Sequence, residues 1–156
     1  MQVFTALALT LTILTAAPLL LAADTSHKHH GHIAELHLND GEKWPTDQPL
    51  REAMLVLRTQ LTERLDSIHH NKLAAEGYLH LAGVVEQQVN FIVKNCALAP
   101  EADAQFHLIL ARLINAASQM KDPELTAQRQ GAIEMLQALQ QYPVFFQDEL
   151  FVPIVH

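Results

Sequence analysis

From residue 48 onward, apolar side chains return every three or four positions, which is the spacing of one face of an α-helix. In "TDQPLREAMLVLRTQLTERLDSIHHN" the stripe is Leu50, Met54, Leu57, Leu61, Leu65 and Ile68, with Arg51, Arg58 and Glu63 elsewhere on the surface. Asp47 is placed to cap this first helix and Pro49 falls in its first turn, where a missing N–H costs nothing. His69 and His70 close it on the negative end of the helix dipole, and Asn71 is a natural stop. A second helix is predicted over about 72–96, its stripe being Tyr78, Ala82, Val85, Val89, Ile92 and Cys96. The third opens at Pro100, with Glu101 and Asp103 near its positive end, and carries Phe106, Leu110, Leu113, Ala117 and Met120. The fourth is predicted to start with Asp122 as cap and Pro123 in the first helical position. It turns Leu125, Ala132, Leu136 and Leu139 inward and ends at Pro143.

Four helices of roughly twenty residues, each about 30 Å long and joined by short connections, predict an all-α, antiparallel up-down-up-down four-helix bundle. No internal repeat of the kind that builds a solenoid is visible. The closing stretch "VFFQDELFVPIVH" is apolar and is expected to fold back over the open end of the bundle. Its Phe145, Phe146 and Phe151 are the alternative candidates for a partner-binding patch.

Ahead of the helices lie two segments of different character. Residues 3–23 are almost wholly apolar, carry no charge and end in Leu21-Ala22-Ala23, the pattern of a secretory signal peptide. Nothing basic follows Met1, a departure from that pattern, and a run of about 20 apolar residues also suits an uncleaved membrane anchor. Pro18 and the Ala22-Ala23 pair favour cleavage. The expected organisation is therefore a signal peptide over 1–23, a flexible His-rich arm and linker over 24–46, and the bundle with its tail over 47–156. Every charged residue lies beyond position 23, so the exported chain keeps the net charge of −7. Periplasmic location is expected, with no membrane contact apart from the signal segment.

The acidic balance and scattered Lys and Arg argue against nucleic acid, since phosphate binding needs clustered cations. Cys96 is the only cysteine, so no intrachain disulfide supports the fold.

The clearest chemical feature is "HKHHGHIAELH", which holds His27, His29, His30 and His32, with His37 following. Imidazoles are borderline ligands suited to Cu(II), Zn(II) and Ni(II), and a mobile arm can wrap such an ion. Secondary ligand candidates are His107, with Asp103 four residues before it as the carboxylate that orients the ring, together with Met54 and Cys96. Met54 and His107 fall about 10 Å in from the same end of their helices, and a Met/His pair is one way of holding non-covalent haem. Helices one and three are diagonal in the predicted bundle, however, and Cys96 lies too far from the level of His107 to share a tetrahedral ion. Covalently attached haem c is excluded because no C-x-x-C-H occurs. A di-iron carboxylate bundle is excluded too: Glu76, Glu86, Glu101 and Glu134 are followed three residues later by Leu79, Val89, Ala104 and Gln137, never by histidine. No serine-protease, phosphate-loop or zinc-protease motif is present, so no enzyme is predicted.

The stretches "LHLNDGEKWPTDQPLREAM", "IVKNCALAPEADAQFHLILARL" and "YPVFF" resemble small exported proteobacterial proteins loosely labelled DnrO-type. The resemblance covers about residues 36–146. It implies a periplasmic helical bundle whose Cys96/Asp103/His107 end is special, and it carries over no catalytic residue.

Three functional expectations follow, in order. The first is a non-catalytic periplasmic bundle that binds copper or zinc through its histidines. The second is a structural or protein-interaction module using the aromatic tail, and the third is a haem b electron carrier.

Overall fold

The computed structural model describes residues 35–155, and all structural statements concern these. Among them the chain is all-helical: α1 (Gln48–Thr62), α2 (Leu65–His69), α3 (Ala75–Asn95), α4 (Pro100–Met120) and α5 (Leu125–Phe145), with no strand. Packing follows chain order. α1 lies against α3, α3 against α4 and α4 against α5, while α5 also reaches α1 and α3. The stripes predicted for the first and third helices are buried throughout. So are Tyr78, Ala82, Val85 and Ile92 of α3, with Val89 and Cys96 half-buried.

The first expected helix is two helices. Arg64 causes the break, because its guanidinium Nη1 takes the Gln60 carbonyl at 2.9 Å. Its own amide, which would use that carbonyl in an unbroken helix, bonds Leu61 O instead. Thr59 and Thr62 weaken the same turn by donating their hydroxyls to Leu55 and Arg58 carbonyls, a pattern that bends helices. α2 then stops at Asn71 as its sequence suggests: φ is 54°, Asn71 N–H bonds Ile68 O and Lys72 N–H bonds Ser67 O.

α5 departs from expectation at both ends. Asp122 does not cap it. Its carboxylate accepts from Glu124 N–H at 2.8 Å, forming a turn two residues long, and the helix opens at Leu125. Leu125, expected inside, stands exposed in that first position. Gln128 is buried instead and ties the turn by donating to Asp122 O. At the far end Pro143 does not stop the helix, which runs on to Phe145. The last turn is held from outside: Trp44 N–H bonds Phe145 O, and Gln147 N–H bonds Trp44 O.

That contact involves the C-terminal part of the stretch expected as arm and linker over 24–46. Its residues 35–46 pack onto the helices. Asn39 and Glu42 exchange backbone hydrogen bonds of 2.8 and 2.9 Å around Asp40 and Gly41, both at positive φ, closing a tight hairpin turn. Leu36 then packs on the core and Trp44 is buried. The tail doubles back over the same end. Phe146 and Phe151 are buried, and with Phe106 and Tyr142 they form a cluster in which Phe106 meets Phe146 edge-on at 5.7 Å and Tyr142 stacks on Phe146 at 5.5 Å. Arg58 and Gln140 hold the carbonyls of Val152 and Ile154.

Candidate functional site

The start of α1, the end of α3 and the start of α4 share one acidic group, Asp47. Its Oδ1 accepts Leu50 N–H at 3.0 Å, the expected cap, and its Oδ2 accepts Ala97 N–H at 2.7 Å across the chain. One carboxylate thus fixes both the first turn of α1 and the connection between α3 and α4. Cys96 sits half-buried beside it. Burial pushes the thiol up to about 12, aided by the charge of Asp47, by the hydrogen bond to it and by the charge of Asp103. The thiol therefore stays protonated at neutral pH, which suppresses both nucleophilic attack and metal ligation.

Asp103 links this corner to His107. The ring Nδ1–H of His107 donates to Asp103 O at 2.8 Å, with the Asp103 carboxylate at 3.4 Å. The side chains are 62% and 51% exposed, which makes them a surface pair one helical turn apart. The carbonyl can only accept, so Nδ1 carries a proton and the ring is held in one orientation. His70 repeats the arrangement with Asp66 O at 2.8 Å. Met54, by contrast, is fully buried in the apolar core. Met54 and His107 thus occupy different environments, one dry and one wet. Among the described residues no three His, Cys, Asp or Glu side chains gather where they could hold a metal ion. His27, His29, His30 and His32 lie outside the described residues.

A polar seam runs where the tail crosses the start of α1. Arg51 donates to the carbonyl and hydroxyl of Thr46, Thr46 donates to Gln147 O, and the Tyr142 hydroxyl donates to Asp148 at 3.1 Å. Burial raises the Tyr142 pKa, and Asp148 raises it further. A cavity of about 300 Å³ opens beside this seam, lined by Arg51, Glu52, Leu55, Asp148, Leu150 and Phe151.

One histidine deserved more weight in the sequence than its position in a linker suggested. His37 is exposed, yet its backbone is pinned on both sides: its N–H donates to Gln105 Oε1 at 2.9 Å and its carbonyl accepts from Trp44 Nε1 at 2.7 Å. The signal was Trp44, whose indole N–H needs a partner when buried.

No protein-family model, curated protein or solved structure matches this chain. The site must be read from its own chemistry.

Proposed function

We propose that the chain is a non-catalytic helical-bundle protein, exported to the periplasm, that takes up a transition-metal ion, copper or zinc, through His27, His29, His30 and His32. The observation that carries this reading is local: four imidazoles fall within six residues, directly ahead of a domain whose ordered packing begins by Leu36. Imidazole suits both metals at neutral pH. The signal-like segment over 3–23 supports export, and the pairing of α1 with α3, α3 with α4 and α4 with α5 supports an up-down-up-down bundle. The resemblance of residues 36–146 to DnrO-type proteins belongs to the same proposal and adds no chemistry of its own.

Among the secondary ligands, His107 with its Nδ1 proton anchored on Asp103 is the best prepared. Cys96 and Met54 are poorly prepared, the first by its protonated thiol and the second by its burial. For the same reason a Met54/His107 haem clamp gains no support. The interaction-module reading shifts as well: with Phe146 and Phe151 inside, it rests on Leu150, Val152 and Val155, the exposed apolar side chains of the tail.

Deleting residues 24–32 is expected to remove most copper affinity and to leave thermal stability nearly unchanged. An unaltered copper titration in that deletion defeats the reading. Metal analysis and an absorption spectrum of natively purified protein separate the alternatives. Stoichiometric copper or zinc supports metal uptake and a Soret band supports haem. A colourless, metal-free chain that cannot be reconstituted leaves the interaction module.

A further inference from the structure

We infer that the outer face of α3 and α4 docks a second copy of this chain, about a two-fold axis that lays α3 antiparallel on α3 and α4 on α4. The inference is independent of metal uptake.

Exposure defines the face. α3 packs on α1 and on α4, and the stripe it leaves outward includes Gly83, Glu86, Asn90 and Val93, exposed at helical spacing. Val93 is 70% exposed, more than any other large apolar side chain in the described helices, and Ile114 of α4 is 51% exposed. Between the two helices runs a groove of about 520 Å³, with Val85, Val89 and Ala117 among its walls. Its only charged walls are Glu86 and Lys121, which pair with each other. Gly83 has no evident use inside the chain. It lies mid-helix, where glycine is weaker than alanine, and a Cβ there meets nothing within 4 Å. Close approach of another surface supplies a reason for it.

The occupant follows from the register of the face itself. A two-fold axis lying in the interface and crossing α3 at Gln88 and α4 near Ala116 falls within the groove. Each residue then faces one as far beyond the axis as it lies before it. Val93 of one copy meets Gly83 of the other, so the most exposed helical side chain lands where no side chain stands. Asn90 meets Glu86, and its amide can donate to that carboxylate. On α4, Ile114 meets Ser118 and Lys121 meets Ala111. Large thus faces small in three of these pairs, and donor faces acceptor in the fourth. Charge points the same way. The chain carries −7, and like charges opposed across an interface are costly, yet the two charges of this groove cancel within each copy. The area is sufficient but small. Two helices of 21 residues, each about 31 Å long and some 10 Å from its neighbour, present about 600 Å² per copy. The total of about 1,200 Å² is the lower bound for a specific interface, which makes this a weak dimer of micromolar order.

Sedimentation velocity of the purified chain from about 1 to about 500 µM covers that range. The sedimentation coefficient is expected to rise with concentration from monomer to dimer and to stop there. Val93→Glu and Ile114→Glu, both on exposed positions, are expected to keep the chain monomeric throughout while leaving the far-ultraviolet melt of dilute samples unchanged. Gly83→Ala separates association from folding. It finds open space in the monomer and so keeps or raises the dilute melting temperature, but it places a methyl under Val93 of the other copy. Dimerisation should weaken by about tenfold, the scale of overpacking a fitted contact. Leu150→Glu, on the exposed tail, should leave the dimer intact. A chain that stays monomeric at every concentration overturns the proposal. So does a dimer that survives both glutamate substitutions on α3 and α4, or one that Leu150→Glu abolishes.

Discussion

Replacing Gly131 by alanine drives a methyl carbon into the backbone of α4. A Cβ at this position sits 2.6 Å from Ala116 O, 2.8 Å from Met120 N and 2.9 Å from Gln119 Cβ. Ordinary carbon contacts begin near 3.4 Å, so α5 must withdraw from α4 by about 0.8 Å (3.4 − 2.6). Two of these obstacles are main-chain atoms of a helix and the third is a Cβ fixed to it, so none can swing aside. Overpacking of this kind costs about 1–3 kcal/mol. Alanine recovers about 1 kcal/mol of helix propensity over glycine. The withdrawal also loosens Ala116, Met120, Ala132 and Met135, all fully buried at or near this interface, which pushes the cost toward its upper end. The expected net loss is about 2 kcal/mol, a fall in Tm of roughly 6–10 °C for a domain of this size. Gly83 is the internal control. It lies mid-helix in α3, exposed, and a Cβ there meets nothing within 4 Å. Gly83→Ala should therefore gain about 0.5–1 kcal/mol and raise Tm by about 2–4 °C. Thermal and urea melts followed by far-ultraviolet circular dichroism read both variants. If Gly131→Ala melts at or above the parent chain, the close approach of α4 and α5 is wrong.

Other consequences are as direct. Asp47→Ala strips the cap of α1 and the acceptor of Ala97 N–H, with an expected loss of about 1–2 kcal/mol in denaturant melts. The same change removes a negative charge and an acceptor that hold the Cys96 proton, so the thiol pKa falls and alkylation at pH 8 should quicken. A rate equal to or slower than that of the parent contradicts the geometry. Because the Cys96 pKa is raised on folding, its contribution to stability is fully present below about 9 and is lost as pH rises from there through about 12. Tyr142, raised in the same direction, adds to that alkaline loss. Unfolding free energy followed from pH 8 to 11 should decline, and less steeply in Cys96→Ala; parallel curves refute the assignment. Phe151→Ala empties a buried place in the aromatic cluster and should cost about 3–5 kcal/mol, whereas the neighbouring exposed Val152→Ala should cost little. Equal losses in those two variants indicate that the tail does not pack as described.

Much of the fold was legible because helical burial is periodic. Leu50, Met54, Leu57, Leu61, Leu65 and Ile68 repeat with the turn and are all buried, and Asp47 caps where a short acceptor ahead of Leu50 should. The features that escaped are those in which a side chain outbids a periodic rule. Arg64 intercepts one carbonyl and splits the first helix, Asp122 spends its carboxylate on a turn, and Trp44 draws a polar stretch onto the helices. None of these leaves a mark in hydrophobic spacing, since each is a hydrogen bond of a polar group, local for Arg64 and Asp122 and to the far end of α5 for Trp44.

The candidate site divides in the same way. Composition alone marks the histidines over 27–32 and the pairing of Asp103 with His107, because ligand type and a separation of four residues are local properties. Only tertiary structure decides how the backbone of His37 is held, since its N–H donates to Gln105, distant in sequence, and its carbonyl accepts from a buried indole. The protonated state of Cys96 is set first by its burial among the helices and then by Asp47, brought in from the start of another helix. Periodic burial is written along one segment of chain, whereas thiol acidity and helix approach arise where segments meet.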